Sequence, residues 1–99
     1  MTHRPILRPL AQQDINEIWD YSADRWGVEQ ARLYTQAIRD VVVRLTQTPD
    51  LGAAQIDRLS KYRKVRAGSH HLYYRYDETD LIIVRVLHVR MDAQRIIEH

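Results

Sequence analysis

Small or apolar residues recur at positions 11, 15, 18, 19, 22 and 26 (Ala11, Ile15, Ile18, Trp19, Ser22, Trp26) inside an otherwise polar stretch. That spacing is one face of an α-helix and predicts a helix from about 9 to 26. Pro9 suits a first helical turn, whereas Arg8 before it is a poor N-cap. Gly27 is a stop signal, the residue type that most readily takes the left-handed conformation at a helix end. Both tryptophans of the chain lie on the stripe, and large aromatics at helical spacing are expected to anchor a core. A second helix is predicted to start near Val28 or Glu29. Its face is Ala31, Tyr34, Ala37, Ile38, Val41, Val42 and Leu45, and Thr48-Pro49 ends it, since proline disfavours helical geometry in the residue before it. So short a connection makes an antiparallel helical hairpin.

The period then changes. Residues 3 to 8, with Ile6 and Leu7, predict a short first strand, and 50 to 59 read as a loop. Lys61 to Arg66 is a plausible strand, followed by a tight turn at Gly68-Ser69. His70 to Tyr76 alternates, Leu72, Tyr74 and Tyr76 on one side and His71, Tyr73 and Arg75 on the other. A polar loop, Asp77 to Asp80, leads into the strongest strand, Leu81 to Val89. There Ile82, Val84 and Val86 are expected to face one way and Leu81, Ile83 and Leu87 the other, apolar on both faces as in a central strand. Asp92 is positioned to cap a short final helix, 93 to 98. The order β-α-α-β-β-β predicts an α+β fold, a helical hairpin packed on an antiparallel-rich sheet, with a short C-terminal helix. Residues 1 to 99 read as a single domain.

Composition narrows the chemistry. The chain has no cysteine, hence no disulfide and no thiolate metal site. No apolar run approaches the roughly 20 residues that span a bilayer, and the N-terminus lacks a signal-peptide core, so a cytoplasmic location is expected. The net charge of +2 is uneven. Residues 1 to 57 carry six Arg against eight Asp or Glu; residues 58 to 99 carry nine Lys or Arg against five Asp or Glu. The C-terminal half is therefore suited to an acidic partner, although a solvated basic strand has the same composition. His70 and His71 are adjacent on a strand and point to opposite faces, which disfavours a shared metal. No phosphate-binding glycine loop or nucleophile motif is present, and no metal or cofactor is expected. Tyr62, Tyr73, Tyr74 and Tyr76 stand among basic residues; such aromatics stack on nucleic-acid bases, but they equally satisfy a pleated strand.

Several segments occur in a particular order: Asp14-Ile-Asn-Glu-Ile-Trp-Asp-Tyr21, Arg25-Trp26-Gly27, Gln30-Ala31, Thr48-Pro-Asp-Leu-Gly52 and Leu87-His-Val-Arg-Met-Asp92. Together they resemble the ParE toxins of the RelE/ParE superfamily, from bacterial type II toxin–antitoxin systems, over nearly the whole chain. The resemblance implies a β-α-α-β-β-β toxin, neutralised by a ParD-like antitoxin and directed at DNA gyrase by binding rather than by its own catalysis. Arg63, Arg66, Arg75, Arg85, His88, Arg90 and Met91 are the expected partner contacts, because Arg pairs with carboxylates and stacks on rings. An antitoxin helix laid in an apolar groove beside the hairpin is one way such a surface is covered.

The RelE branch implies an alternative, a ribosome-dependent mRNA endoribonuclease. Such an enzyme neutralises a phosphate and moves protons at the ribose and the leaving oxygen. Lys61, Arg63, Lys64, Arg66, Arg75, Arg85, His88 and His99 supply the residue types, with His88, Arg63 and Arg85 the leading set. His88 is equally a hydrogen-bonded histidine at the edge of the core, and His99 is the chain's last residue. A third reading is an inactive scaffold kept only to bind the antitoxin.

Overall fold

The computed structural model describes residues 2–97. The elements follow the order β1 (Arg4–Leu7), α1 (Pro9–Trp26), α2 (Val28–Gln47), β2 (Ala53–Ala54), β3 (Arg63–Ala67), β4 (His70–Tyr76), β5 (Asp80–His88) and α3 (Ala93–Ile96), with a 3-10 turn at Asp57–Leu59 between β2 and β3. The sheet order is β1-β5-β4-β3-β2, with β1 parallel to β5 and the other pairs antiparallel. The expected α+β hairpin-on-sheet architecture is present. The expected end of α3 at 98, like His99, lies outside the described residues.

The loop expected over 50 to 59 instead contributes the edge strand β2, which pairs with Arg63 and Lys64. A staple explains why a two-residue strand forms without any alternation in its sequence. The Gly52 N–H donates to the Tyr74 hydroxyl (2.8 Å), and that hydroxyl donates to the Pro49 carbonyl (2.7 Å). The Arg63 guanidinium donates to the Gly52 and Asp50 carbonyls. A Cβ at Gly52 would lie 2.6 Å from the Tyr74 hydroxyl and 2.8 Å from the Lys64 carbonyl oxygen. Only glycine lets the backbone come this close.

The alternation in β5 is interrupted. Tyr73 pairs with Arg85 and Tyr74 with Ile83, so Val84 is an extra residue, a β-bulge. Beyond it the faces exchange, because a one-residue slip turns every following side chain over. Leu81, Ile83 and Val86 join Leu72 and Tyr74 under the helices. Ile82, Val84 and Leu87 face the opposite side. The expected grouping of Ile82, Val84 and Val86 is thus corrected by the bulge, as is that of Leu81, Ile83 and Leu87. The helix-side core takes Ala11, Ile15 and Ile18 from α1 and Ile38, Val42 and Leu45 from α2. The far face is closed by Leu59 and Tyr62 before β3 and by Ala93 and Ile97 around α3. Tyr62, Tyr73 and Tyr74 are buried in these layers, as strand packing requires, and only Tyr76 is exposed.

The tryptophans do not do what the stripe predicts. Trp19 is half-buried, and Trp26 is 62% exposed. The core contacts of α1 are made by the smaller Ala11, Ile15, Ile18 and Ser22, together with Asp14. Trp26, the last residue of α1, stands at the mouth of a cleft rather than within the core. Asp92 also departs from expectation: its side chain makes no cap bond, and its carbonyl accepts from the Arg95 and Ile96 N–H groups instead.

One residue joins the two helices. Gly27 donates its N–H to Ala23 and accepts from Ala31, ending α1 and starting α2. Its φ of 92° is positive as expected, but with ψ at 164° it is extended rather than left-handed helical. That region is essentially restricted to glycine. Nothing lies within 4 Å of a Cβ placed there, so backbone strain alone opposes a side chain. Gly27→Ala is expected to reduce unfolding free energy by about 1–3 kcal/mol in urea titration.

Candidate functional site

Past its core contacts, α1 forms one wall of a cleft of about 660 Å³. Ile18, Tyr21, Ser22 and Trp26 line that wall at helical spacing, which is why the stripe continues beyond the core. The end of β5, from Arg85 to His88, forms the facing wall. Gln30 and Tyr34 of α2, Ser69 of the β3–β4 turn and His70, the first residue of β4, also line it. Asp14 and Glu17 lie toward the start of α1, away from the helical elbow, and Met91 and Ile96 complete the lining.

The Asp14 end is a fixed ion pair. Arg85 Nε and Nη2 donate to the two carboxylate oxygens at 2.8 and 2.9 Å, and the Val86 N–H donates to one of them at 2.9 Å. β1 pairs only as far as Ile83, with Arg8 N–H donating to the Ile83 carbonyl as its last bond. Asp14 satisfies the Val86 N–H beyond that point. The bidentate bond holds the Arg85 pKa above its ordinary value.

The elbow end is a set of hydrogen-bonded rings. The Ser69 N–H donates to the Tyr34 hydroxyl at 2.8 Å, and that hydroxyl lies 2.7 Å from His70 Nδ1. The His70 and His88 rings meet edge to face, 5.4 Å between centroids, as direct partners on β4 and β5. His88 Nδ1 accepts from the Arg90 N–H at 3.2 Å. Burial, reinforced by the neighbouring His88, lowers the His70 pKa to about 4. At the lip, Tyr21 and Trp26 meet edge to face at 6.0 Å, and the Arg25 guanidinium lies 5.1 and 5.9 Å from their ring centres.

The residues expected as contacts fall in different places. Arg85, His88 and Met91 line the cleft, and Arg90, exposed, lies two residues past the end of β5. Arg66 is exposed and donates to the Gly68 carbonyl. Arg75 is on the far face, next to Ile82 in the ladder. On that face Lys64 and Arg66 add to burial in lowering the His71 pKa. Arg63 is occupied by the Gly52 staple. The leading set for ribonuclease chemistry is not assembled. His88 and Arg63 are four residues apart along the ladder and two strands across, or about 13 Å by about 10 Å. Arg85 is held by Asp14.

Sequence reasoning missed Asp14, His70, Tyr34 and Tyr21. Asp14 had a signal, because positions 11, 14, 15, 18 and 22 share one face, so its carboxylate falls among buried residues. His70 had another, because it shares the inward face of β4 with Leu72 and Tyr74. Among the described residues no three of His, Asp or Glu converge as metal ligands, and no helix is long and apolar enough to cross a membrane.

Two solved structures share this architecture. A chain of the chromosomal ParDE toxin–antitoxin system from P. aeruginosa superposes with a TM-score of 0.78 at 21% identity, over 90% of this chain and 98% of that one. A chain of the toxin–antitoxin complex RelBE2 from Mycobacterium tuberculosis gives 0.70 at 21% identity, over 89% and 99%. The fold is thus shared with these two chains. The sequence is more specific. Residues 6–93 match the family described as ParE toxin of type II toxin–antitoxin system, parDE. Toxin ParE1 of Mycobacterium tuberculosis is 44% identical over 96% of this chain and 98% of its own length. Toxin ParE1 of Caulobacter vibrioides is 36% identical over 89% and 91%. The chain belongs to the ParE toxin family of type II toxin–antitoxin systems.

Removing one partner of a buried ion pair leaves the other unpaired. Asp14→Ala is therefore expected to destabilise the fold by about 3–5 kcal/mol. The double variant Asp14→Ala/Arg85→Ala should lose less than the sum of the two single losses in chemical denaturation, since the residues share one interaction. His70 gives a pH prediction. Its folded pKa lies below that of an unfolded histidine, so as pH falls the unfolded chain takes up the proton first. The stability associated with neutral His70 is complete above pH about 6.5 and declines down to pH about 4. Melting curves of the parent and His70→Phe, compared across this window, should show a shallower decline in the variant.

Proposed function

We propose that this toxin acts by binding DNA gyrase in the cytoplasm and is held inactive by a ParD-like antitoxin whose apolar helical face fills the cleft between α1 and β5. The single observation that carries the binding reading is the cleft itself. Its α1 wall is apolar and aromatic, its rim presents Tyr21, Trp26 and Met91 to solvent, and the ion pair at its Asp14 end is internally neutralised. Exposed aromatic and Met side chains beside Arg are the composition of protein-interface hot spots. The family description naming parDE supports the antitoxin class. Arg66, Arg75 and Arg90, accessible outside the cleft, are the proposed contacts for the acidic surface of a target. His88, Met91 and Arg85 belong to the antitoxin side, and Arg63 serves binding by holding the sheet edge.

The RelE-type ribonuclease is the second reading, favoured by the RelBE2 chain sharing the fold. The separation of His88 from Arg63 and the engagement of Arg85 by Asp14 weigh against it. The purified toxin is expected to reduce gyrase supercoiling in a plasmid assay and to leave ribosome-bound mRNA intact. Cleavage abolished by His88→Ala would reverse the assignment. Soluble expression without the antitoxin and without growth arrest would support an inactive scaffold.

A further inference from the structure

The outer face of β3 and β4 differs in chemistry from the cleft. Exposed large apolar side chains rim the cleft, namely Tyr21, Trp26, Met91 and Ile96. The outer face of β3 and β4 has none, because Tyr76, the one such residue on these strands, falls by alternation on the side of Leu72 and Tyr74. What this face presents is cationic. Val65 and Ala67 pack toward the helices, so Lys64 and Arg66 point away from them. On β4, Tyr73 belongs to the far layer, and His71 and Arg75 share its face. The register sets Arg66 opposite His71 and Lys64 opposite Tyr73, so Arg75 is diagonal to Lys64. Arg66, Lys64 and Arg75 therefore make a row in steps of about 7 Å. Among the described residues none of the three is paired with a carboxylate. Arg66 Nε donates to the Gly68 carbonyl at 2.8 Å, which steadies the side chain and leaves its two Nη groups for another acceptor. The His71 ring meets Tyr73 edge to face, 6.2 Å between centroids, and the charges of Lys64 and Arg66 both reach it. Asp92 acts electrostatically on Tyr73 but pairs with none of the row.

We infer that Arg66, Lys64 and Arg75 form a row that binds the phosphate backbone of duplex DNA. A protein interface is anchored by apolar and aromatic side chains at its centre, and this face exposes none. Interfaces with nucleic acid are polar and strongly positive. Neighbouring phosphates on one strand are separated by a step similar to that of the row, so successive cations meet successive charges. The arginines can take a phosphate in two parallel bonds, and Lys64 adds a point charge between them. With no exposed ring here to stack on a base, the face gains nothing from a single strand and reads charge rather than sequence. The inference rests on the gyrase reading in one respect: the acidic surface assigned to Arg66 and Arg75 becomes the DNA on which gyrase acts, rather than gyrase itself.

The test titrates the purified full chain into a fluorescent, mixed-sequence DNA duplex and reads anisotropy. Neutralising three phosphates predicts a slope of about −2.7 in log affinity against log salt, a loss of about 40-fold between about 50 and 200 mM. Lys64→Gln, Arg66→Gln and Arg75→Gln should each make the slope shallower by about 0.9 and weaken binding several-fold at low salt, equally for unrelated sequences. Arg66→Lys and Arg75→Lys keep the charge and should retain the slope, which separates lost charge from lost folding. Arg39 and Arg44, exposed on α2, supply a control of equal charge away from the row. If Arg39→Gln/Arg44→Gln weakens binding as much as Lys64→Gln/Arg66→Gln, binding follows net charge and the row is refuted. Gyrase free of DNA is the competing partner. If the three glutamines weaken binding to it and leave duplex binding unchanged, the row belongs to an acidic protein surface and the proposal is overturned. A parent chain that inhibits supercoiling without binding the duplex overturns the row and leaves the gyrase reading. Row-dependent duplex binding with supercoiling unaffected supports the row and ends the gyrase reading.

Discussion

The buried Asp14 carboxylate is the constraint around which the fold is arranged. A charge in this position is tolerable only when its oxygens are fully hydrogen-bonded. Arg85 and the Val86 N–H provide three bonds, and all come from the bulged segment of β5. The pair therefore joins the middle of α1 to the one place where the sheet changes register. With the bulge held there, Val86 turns under the helices and Leu87 to the far layer, and both cores close. His88 is then carried to the helix side, beside His70.

The same arrangement produces the cleft. α1 is longer than the sheet surface that covers it, so its stripe continues past Ile18 into open space at Tyr21 and Trp26. Gly27 sets where that wall stops, because a one-residue connection in an extended positive-φ conformation turns α2 back at once. Tyr34 of α2 then reaches Ser69 and His70 at the β3–β4 turn. The cleft is consequently rigid at both ends, by an ion pair at one and a hydrogen-bonded ring system at the other. Pre-organised walls of this kind reduce the ordering cost of binding a partner.

Much of the fold was legible in the chain. The two helical stripes, the alternation of His70 to Tyr76 and the proline at position 49 marked elements close to where they occur, because local periodicity reflects which side of an element is buried. The Thr48 to Gly52 segment was legible as a family signature, and its physical basis is the staple around Tyr74 and Arg63. The candidate site was less legible. Of the expected contacts, Arg85, His88 and Met91 came together, while Arg63, Arg66 and Arg75 were dispersed over the sheet. Charge composition marks a half of the chain but carries no information on which strand face or edge each arginine takes.

The sequence by itself determined the hairpin, the strand order along the chain and the family, since these depend on short-range pattern and on ordered motifs. Tertiary structure decided the rest. A tryptophan on an apolar stripe is core or rim according to how far the sheet extends beneath it, and Trp26 lies beyond that extent. An aspartate on the same stripe is a defect or a keystone according to whether an arginine arrives from 71 residues away. Strand faces follow alternation only until a bulge intervenes, and the bulge at Val84 is stabilised by contacts no local pattern contains. Each of these outcomes depends on long-range packing, where the burial of one residue is set by the geometry of another element.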